Sequence, residues 1–408
     1  MSKKRKLKIA IFHLAFFYSG GGEKLVLEEM KGLGKKGHEI VCFAPTVDRR
    51  TCFPDVIKKY PIKDFFPSLS RIFHRFETLQ ILLTCLFFPL IVYRFRNFDV
   101  IMGANQPGPW LAYLAKLFLR KPYLVYLAQP TRILHPRKVD LENGVWVKRK
   151  SFSLPLLVKI FKPLFNWADK ASIKNADIAL VNGSYMAGIL RKVYGVKPVI
   201  CAAGANVLNG LVKNRWRGDL KINGFTIGKP YLLLTNRHFP QKKFEYAINA
   251  IPEVIKNFPK IKLVITGNPT IYTDYLKRLS KKLKVEKSIL FTGYVKEDDL
   301  EKLYQNSCLY LYTSPEEDFG MGVIEAMGAG VPVIAWDKAG PSKTIINSKT
   351  GFLVKPYIQA DFTRKIIYLI KNKKKNIRFG NNAIRHVKAH YTYKGHLVVL
   401  EKAIISIV

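Results

Sequence analysis

The sequence predicts an α/β protein with two doubly wound domains, each built on a parallel sheet. A chain of 408 residues is long enough for two domains with cores of their own. Short apolar runs alternate along it with helical patterns, which is typical of parallel sheets whose strands are joined by crossover helices. The clearest unit is an apolar strand at Leu309–Tyr312, a loop, a helix over Met321–Ala329 and a second apolar strand at Val331–Ala335.

The same alternation runs through both halves of the chain. In the first half, a strand over Leu7–Leu14 leads through Gly20, Gly21 and Gly22 to a helix over Glu23–Lys35. Further strands are expected at Phe98–Ala104, Pro122–Ala128, Ala176–Val181, Pro230–Thr235, Ile261–Gly267 and Ile289–Gly293. We interpret the polar and basic stretch Asn209–Lys229 as the connection between the two domains.

The charge balance of the chain is extreme. It holds 68 Lys and Arg against 29 Asp and Glu, which gives a formal net charge of +39. Such a charge fits an anionic partner, either a membrane surface, a nucleic acid or phosphorylated substrates. The many scattered Lys-Lys pairs also fit a proteome that is rich in lysine. The charge alone leaves these explanations open.

Two segments of the first half combine apolar bulk with cations. Leu79–Tyr93 is shorter than the about 20 apolar residues of a transmembrane helix, and Pro89 would bend it. Arginines flank it on both sides: Arg71, Arg75, Arg94 and Arg96. The segment predicts either a core helix or a helix that lies in a membrane interface. Phe152–Lys170 has the same mixture and favours the second interpretation.

The cysteines and the N-terminus indicate a reducing compartment. The five cysteines lie far apart without a C-x-x-C pair, so they predict small buried side chains and neither disulfides nor zinc ligands. The start of the chain has the basic and apolar regions of a signal peptide, but His13 interrupts the apolar run and no A-x-A site follows. We therefore interpret it as a first strand and expect a cytoplasmic protein.

The stretch between the strands at 309–312 and 331–335 has the densest pattern of site residues. It reads S-P-E-E-D-F-G-M-G-V-I-E-A-M-G-A-G. Gly320 and Gly322 let the backbone approach a ligand closely at the helix start, where N–H groups and the helix dipole favour a phosphate. Glu317 precedes the helix and Glu325 lies within it, and their carboxylates can accept hydrogen bonds from hydroxyls. An acidic helix start without a ligand is the alternative interpretation.

This stretch resembles the E-x7-E signature of the family 4 retaining glycosyltransferases, the glycosyl transferases group 1, because A-M-G-A-G-V-P-V-I follows the second Glu. The resemblance implies the GT-B fold, in which two Rossmann-like domains face a central cleft. It implies that Glu317 lies beside the donor sugar and that Glu325 binds the ribose. Gly320, Met321 and Gly322 would bind the nucleotide sugar at the helix start.

The resemblance also implies a role for each domain. Residues 1–207 would bind the acceptor, and residues 208–390 would bind the nucleotide-sugar donor. A last helix within 391–408 would cross back onto the first domain.

Three other stretches resemble the family as well. Arg237 and Lys242 match the cations that bind the donor diphosphate, and cations suit a leaving group on which negative charge grows. The sequence F-T-G-Y-V matches a segment whose backbone, near Val295, meets the nucleotide base. Gly21 and Gly22 match a G-G-x-E turn that faces the cleft. Arg237, Lys242 and Glu317 are therefore the predicted catalytic residues.

The chain departs from the family at two positions. Many members have a His two residues before a Pro, facing the donor sugar, where this chain has Ala128 before Pro130. An alanine cannot hydrogen-bond a sugar hydroxyl, and Gln129 or His135 would be the nearest replacements. Lys343 stands where the family commonly has Glu.

The sequence thus predicts a retaining hexosyltransferase that uses a GDP- or UDP-sugar. Its acceptor would be a glycan or a lipid-linked sugar at the inner face of an anionic membrane. No cofactor is expected, and no metal is expected because the chain has no D-x-D motif. One alternative is a weak or inactive partner subunit, which Ala128 suggests. The other is a basic nucleic-acid-binding protein, but that activity would not need paired acids, so no nucleic acid is expected.

Overall fold

A computed structural model describes residues 5–68, 77–143, 161–210 and 218–408. The chain forms two compact units, Met1–Ala203 with Tyr393–Val408, and Gly204–Thr392. Both units are built on parallel sheets, which confirms the predicted α/β class. The first unit therefore ends at Ala203, before the predicted boundary at residue 207. The chain returns to this unit at Tyr393. The acceptor and donor roles of the units stay predictions.

The first unit contains a seven-stranded parallel sheet in the order β3-β2-β1-β4-β5-β6-β7. Its strands are β1 Lys8–His13, β2 Glu39–Ala44, β3 Ile62–Asp64, β4 Val100–Ala104, β5 Tyr123–Leu127, β6 Ile178–Val181 and β7 Val199–Ile200. Its helices are α1 Gly21–Lys35, α2 Glu77–Ile91, α3 Gly108–Leu119, α4 Lys138–Glu142, α5 Lys162–Lys174, α6 Ser184–Tyr194 and, from the end of the chain, α14 Tyr393–Ile405. The strand order reverses between β1 and β4, which makes this the switch point of the sheet.

The second unit contains a six-stranded parallel sheet in the order β12-β11-β10-β13-β14-β15. Its strands are β10 Tyr231–Thr235, β11 Lys262–Thr266, β12 Ile289–Gly293, β13 Leu309–Tyr312, β14 Val333–Trp336 and β15 Gly351–Val354. Its helices are α7 Glu245–Asn257, α8 Ile271–Lys282, α9 Glu297–Asn306, α10 Met321–Gly328, α11 Pro341–Thr344, α12 Gln359–Lys371 and α13 Lys373–His390. Layers of helices bury such a sheet on both faces, which explains why its strands are continuous apolar runs.

A hairpin occupies part of the stretch that we interpreted as a domain connection. Strands β8 Asp219–Ile222 and β9 Phe225–Gly228 pair in antiparallel fashion within the second unit. Asn223 and Gly224 join them with φ of 50° and 77°, as a two-residue hairpin turn requires. The sequence signal was present, because an Asn-Gly pair between alternating residues predicts such a turn. Residues 211–217 lie outside the described residues.

The segment Leu79–Tyr93 forms most of α2, with Pro89 inside the helix. One side of it enters the core, where the Phe88 ring packs against Phe12, Phe65 and Phe95. The opposite side is bare, with Leu90 79% exposed. The buried side fits a core helix, while a place in a membrane interface stays a prediction for the exposed side. Arg71, Arg75 and residues 152–160 lie outside the described residues.

The cysteines and the helices were used to predict the compartment and the relation to a membrane. Four of the five cysteines are buried, and Cys85 is partly buried. Burial raises the pKa of the Cys85 thiol to about 12, which keeps it unreactive. In the described parts of the chain, no helix combines the length and the apolar character needed to cross a bilayer.

Buried polar contacts hold α14 against the first unit. His396 Nε2 lies 3.0 Å from Glu29 Oε1 on α1, and its Nδ1 lies 3.3 Å from Cys201 Sγ. Glu401, five residues further along the helix, pairs with Lys36. Burial would lower the pKa of His396, but its contacts with Cys201 and Glu29 raise it to about 10. Burial raises the pKa of Glu29, although its contacts with His396 oppose that rise.

Replacing His396→Leu leaves Glu29 buried without its partner, so we expect a loss of about 3–5 kcal/mol in unfolding free energy. Because the pKa of folded His396 is raised, its contribution is complete below about pH 6.5 and disappears as the pH rises through about 10. Denaturant melts of both proteins across this range would measure the difference. The double variant Glu29→Leu/His396→Leu is the control, because removing both partners should restore most of the stability. Equal losses in the single and double variants would contradict the pairing.

Candidate active site

The candidate site lies at the carboxyl edge of the second sheet, at its switch point. Strand order reverses between β10 and β13, and ligands of doubly wound sheets bind in the crevice outside such a reversal. Arg237 and Lys242 follow β10, and Glu317 follows β13. The three predicted catalytic residues therefore come from two adjacent strands.

The structure brings Lys242 and Glu317 into direct contact. The Lys242 ammonium forms an ion pair with Glu317 Oε2, and the side chains are only 11% and 20% exposed. Ser314 Oγ donates to the same carboxylate oxygen at 3.3 Å. The Gly340 N–H donates to the Glu317 carbonyl at 2.7 Å, which fixes the backbone. Partial burial reduces solvent screening, so this pair is stronger than one on the surface.

The loop after β10 presents the two predicted cations, Arg237 and Lys242, from defined positions. Thr313 Oγ1 donates to the Lys242 carbonyl at 2.8 Å and ties this loop to the end of β13. The Arg237 guanidinium carbon lies 5.3 Å from the centroid of the Phe239 ring. Both cations are partly exposed. They can reach an anion outside the sheet edge.

Glu325 is held by hydroxyl groups that the sequence did not identify. The Tyr304 hydroxyl donates to Glu325 Oε2 at 3.0 Å. Thr235 Oγ1, at the end of β10, lies 2.9 Å from that hydroxyl and 2.7 Å from the Tyr310 hydroxyl. Burial raises the pKa of both tyrosines, so they stay protonated. A sequence signal existed for Tyr310 and Tyr312, since alternate residues of a strand face the same side.

The glycines at the start of α10 are required by their surroundings. Gly320 has φ of 91°, a conformation that side chains with Cβ rarely adopt. A Cβ on Gly322 would lie 2.3 Å from the Tyr310 hydroxyl and 3.2 Å from Thr235 Oγ1. The helix starts at Met321, and the residue before it provides no side-chain cap. An anion can therefore take the place of a cap at these N–H groups.

Val295, the residue predicted to lie beside the nucleotide base, is buried just after β12. Its neighbour Tyr294 accepts a hydrogen bond from Asn223 Nδ2 at 2.7 Å. Asn223 lies in the turn of the hairpin β8–β9. The hairpin thus supports the segment that we predict to meet the base.

In the first unit, the predicted residues surround the switch point between β1 and β4. Helix α1 begins at Gly21, two residues before the predicted start, so Gly21 and Gly22 form its first turn. Asn105 Oδ1 accepts from the Ala128 N–H at 3.0 Å, and Asn182 Nδ2 donates to the Ala128 carbonyl at 3.2 Å. At this edge of the sheet, Ala128 therefore contributes only its hydrogen-bonded backbone groups, where the family often has an imidazole side chain.

The two histidines near this edge differ in their environments. His135 lies 3.7 Å from the buried carboxylate of Asp169, so its ring interacts within the first unit. His13, at the end of β1, donates from Nδ1 to the Ala104 carbonyl at 3.1 Å. Burial lowers the pKa of His13 to about 4, so it is neutral near pH 7. Gln129 is partly exposed.

No group of three or more His, Cys, Asp and Glu side chains that could hold a metal occurs in the described ranges. The expected independence of metal stays a prediction. Lys343, on α11, is exposed.

Two family patterns match the chain, and together they span most of its length. Residues 19–202 match Glycosyltransferase Family 4, and residues 218–386 match Glycosyl transferases group 1. The chain is a family 4 glycosyltransferase. The predicted resemblance and the enzyme class are thereby confirmed, while the roles of single site residues stay predictions.

Relatives and solved structures extend this match over the full chain. An alpha-1,3/1,6-mannosyltransferase ALG2 of Dictyostelium discoideum is 24% identical and covers 96% of both chains. The human alpha-1,3/1,6-mannosyltransferase ALG2 is 24% identical and covers 83% of this chain and 81% of its own. The structure of Anabaena HepE with UDP-glucose has a TM-score of 0.72 at 16% identity, covering 98% of this chain and all of that one. The predicted GT-B fold class is confirmed, and the relatives support a place in glycan biosynthesis.

We expect Gly322→Ala to weaken nucleotide binding at least tenfold, because its Cβ would collide with the Tyr310 hydroxyl. Removing that hydroxyl in the double variant Gly322→Ala/Tyr310→Phe should recover a large part of the loss. Calorimetric titration with GDP and UDP measures both, with circular dichroism as the folding control. Gly322→Ala binding nucleotide like wild type would show that this close contact is unimportant.

Proposed function

We propose that the protein transfers a hexose, most specifically mannose, from a GDP- or UDP-linked donor to a glycan or lipid-linked acceptor with retention. This proposal rests on one observation: two groups of side chains lie together at the switch point of the second sheet. They are the Lys242–Glu317 ion pair, and Thr235 with the Tyr304–Glu325 pair. The mannosyltransferase names of the relatives support mannose. The complexes of HepE with UDP and UDP-glucose support a nucleotide sugar.

Arg237 and Lys242 would bind the diphosphate of the donor. Bond cleavage places negative charge on the leaving phosphate, and fixed cations lower the energy of that state more than the energy of the bound substrate. Lys242 is already paired with Glu317, so an arriving phosphate would share or replace that partner. Glu317 would then be left facing the sugar, as a hydrogen-bond acceptor for its hydroxyls.

Retention fits a front-face reaction in which no protein nucleophile takes part. In such a reaction the departing phosphate accepts the proton of the attacking hydroxyl. This mechanism is compatible with Ala128, because it needs no imidazole as a nucleophile or as a base. Glu325 would bind the ribose hydroxyls with the carboxylate that Tyr304 orients.

The alternatives have less support. Nucleic-acid binding would be served by the cations alone, and it gives no reason for Glu317 and Glu325 to occupy the ligand edge of the sheet. An inactive partner subunit would not need the buried network that supports Glu325. Turnover of GDP-mannose, UDP-glucose and related sugars, with methyl mannoside and lipid-linked sugars as acceptors, tests the proposal. Absence of turnover with every pair would contradict it.

Arg237→Ala and Lys242→Ala should each lower kcat by roughly 10²–10³, the typical cost of removing one preorganised electrostatic group. Steady-state kinetics with the active donor measure this. Lys256→Ala, whose exposed ammonium pairs with Glu253 on α7, is the matched control and should retain wild-type rates. Rates within threefold of wild type for the site variants would exclude the predicted role.

Glu325→Gln should weaken donor binding by about 1–3 kcal/mol, the range for hydrogen bonds to a charged group. The loss arises because an amide is a weaker acceptor for ribose hydroxyls and for the Tyr304 hydroxyl. Calorimetry with the nucleoside diphosphate and with its 2′,3′-dideoxyribose analogue separates these contacts. The analogue should bind wild type and variant with similar affinities, and an unchanged affinity for the natural nucleotide would refute ribose binding.

A further inference from the structure

Three helices of the first unit form one layer with an unusually bare outer side. Helix α3 packs against α2 on one side and against α5 on the other, where Trp110 stacks on Phe165 at 6.0 Å. Large apolar side chains on the three helices and their ends are exposed to solvent: Leu86, Leu90, Tyr93, Leu117, Leu164 and Trp167. We call this surface the α2–α3–α5 face.

The exposed residues repeat with helical spacing, so they form stripes. Leu86, Leu90 and Tyr93 follow one another at intervals of four and three residues, and Leu164 and Trp167 at an interval of three. Trp167 is 62% exposed, while Asp169 on the same helix is fully buried. The inward sides of these helices already fill the core. The outward stripes therefore need a different explanation, since apolar groups gain nothing from contact with water.

The charge of this face is mostly positive. Residues 77–98 contain two cations and the acid Glu77, residues 108–121 contain three cations, and residues 161–174 contain three cations and the acid Asp169. Asp169 lies inside the unit, where Thr131 and Tyr194 bond to it. Arg94, Arg96 and Arg120 stand at the ends of the exposed stripes. An anionic partner is favoured by charge, and an apolar partner by the stripes.

We propose that the α2–α3–α5 face docks on the surface of an anionic lipid bilayer, with its apolar stripes among the acyl chains and its cations at the headgroup phosphates. The proposal deepens the proposed function by naming the surface that brings the enzyme to a lipid-linked acceptor, and it rests on that function only in this respect. A bilayer offers both chemistries at once, and Trp and Tyr favour its interface. Each cation near the surface contributes about 1 kcal/mol. A nucleic acid would leave the leucines in water.

Vesicle flotation tests the docking. Wild-type protein should float with vesicles of phosphatidylcholine containing about one third phosphatidylglycerol, and poorly with phosphatidylcholine alone, with the difference falling as salt screens the charges. Leu86→Gln/Leu90→Gln and Arg94→Glu/Arg96→Glu should each lower the bound fraction at least tenfold. Lys162→Glu/Lys170→Glu tests the third helix and should likewise lower the bound fraction; Lys159, which lies just before that helix in the sequence, is outside the described residues.

The second unit offers a matched control. Helix α8 also combines exposed apolar groups with cations, and Ile271 is 90% exposed there. Ile271→Gln/Tyr275→Gln should float like wild type. Equal recovery on both vesicle types, none on either, or an equal loss in the α8 control would overturn the proposal. A shift from dimer to monomer in Leu86→Gln/Leu90→Gln, without any flotation of wild type, would assign the face to a second copy instead.

Fluorescence gives a second, independent measurement. Brominated lipids should quench tryptophan emission of wild-type protein on anionic vesicles, and Trp167→Phe should lose most of that quenching. Nucleotide binding of each variant in solution reports folding. Failure of sugar transfer with intact flotation would contradict the proposed function alone, whereas transfer to methyl mannoside without flotation or quenching would contradict the docking alone.

Discussion

The parallel pairing of β10 with β13 is the constraint on which the candidate site depends. It places two segments separated by 75 residues in contact, so that Lys242 reaches Glu317. The chain leaves β10 toward β11 on one side and returns to β13 on the other, which keeps the crevice between them uncovered by its own crossovers. Shifting either strand by one residue would turn its side chains to the opposite face. The register of β10 and β13 therefore also determines the geometry of the site.

The two carboxylates of the site have distinct surroundings despite their shared motif. Glu317 pairs with a cation that a phosphate would also engage under the proposed function, so we expect its environment to change when the donor binds. Glu325 receives the Tyr304 hydroxyl, whose own partner is Thr235. That arrangement is neutral apart from the carboxylate, and an anionic ligand has no reason to disturb it. Under the proposed function, one acid would respond to the diphosphate and the other would keep its hydrogen-bonded position.

Local sequence patterns predicted the elements well, because strand and helix periods are local properties. The E-x7-E pattern is also local, but the roles of its residues stay predictions. Strand β13 and the start of α10 lie where the apolar run and glycines indicated. The contacts of Thr235 with Tyr304 and Tyr310 were not predicted. The spacing of residues along a strand indicates which side of the sheet a side chain occupies, but it does not identify the residue that the side chain contacts. The hairpin at Asn223 was missed although its turn signal is local. Helix α2 was ambiguous because one of its sides packs in the core and the other is exposed to solvent.

The position of α14 affects how the protein is made. A ribosome completes the second unit before it reaches His396. Glu29, which lies 367 residues earlier, therefore cannot form its contact with that side chain until the second unit has been made. Domains usually fold in the order of synthesis, whereas here the first-made unit is finished last. Until then, the side of α1 that later contacts α14 lacks that helix, so the first unit gains its last buried polar contacts only after the second unit has been made.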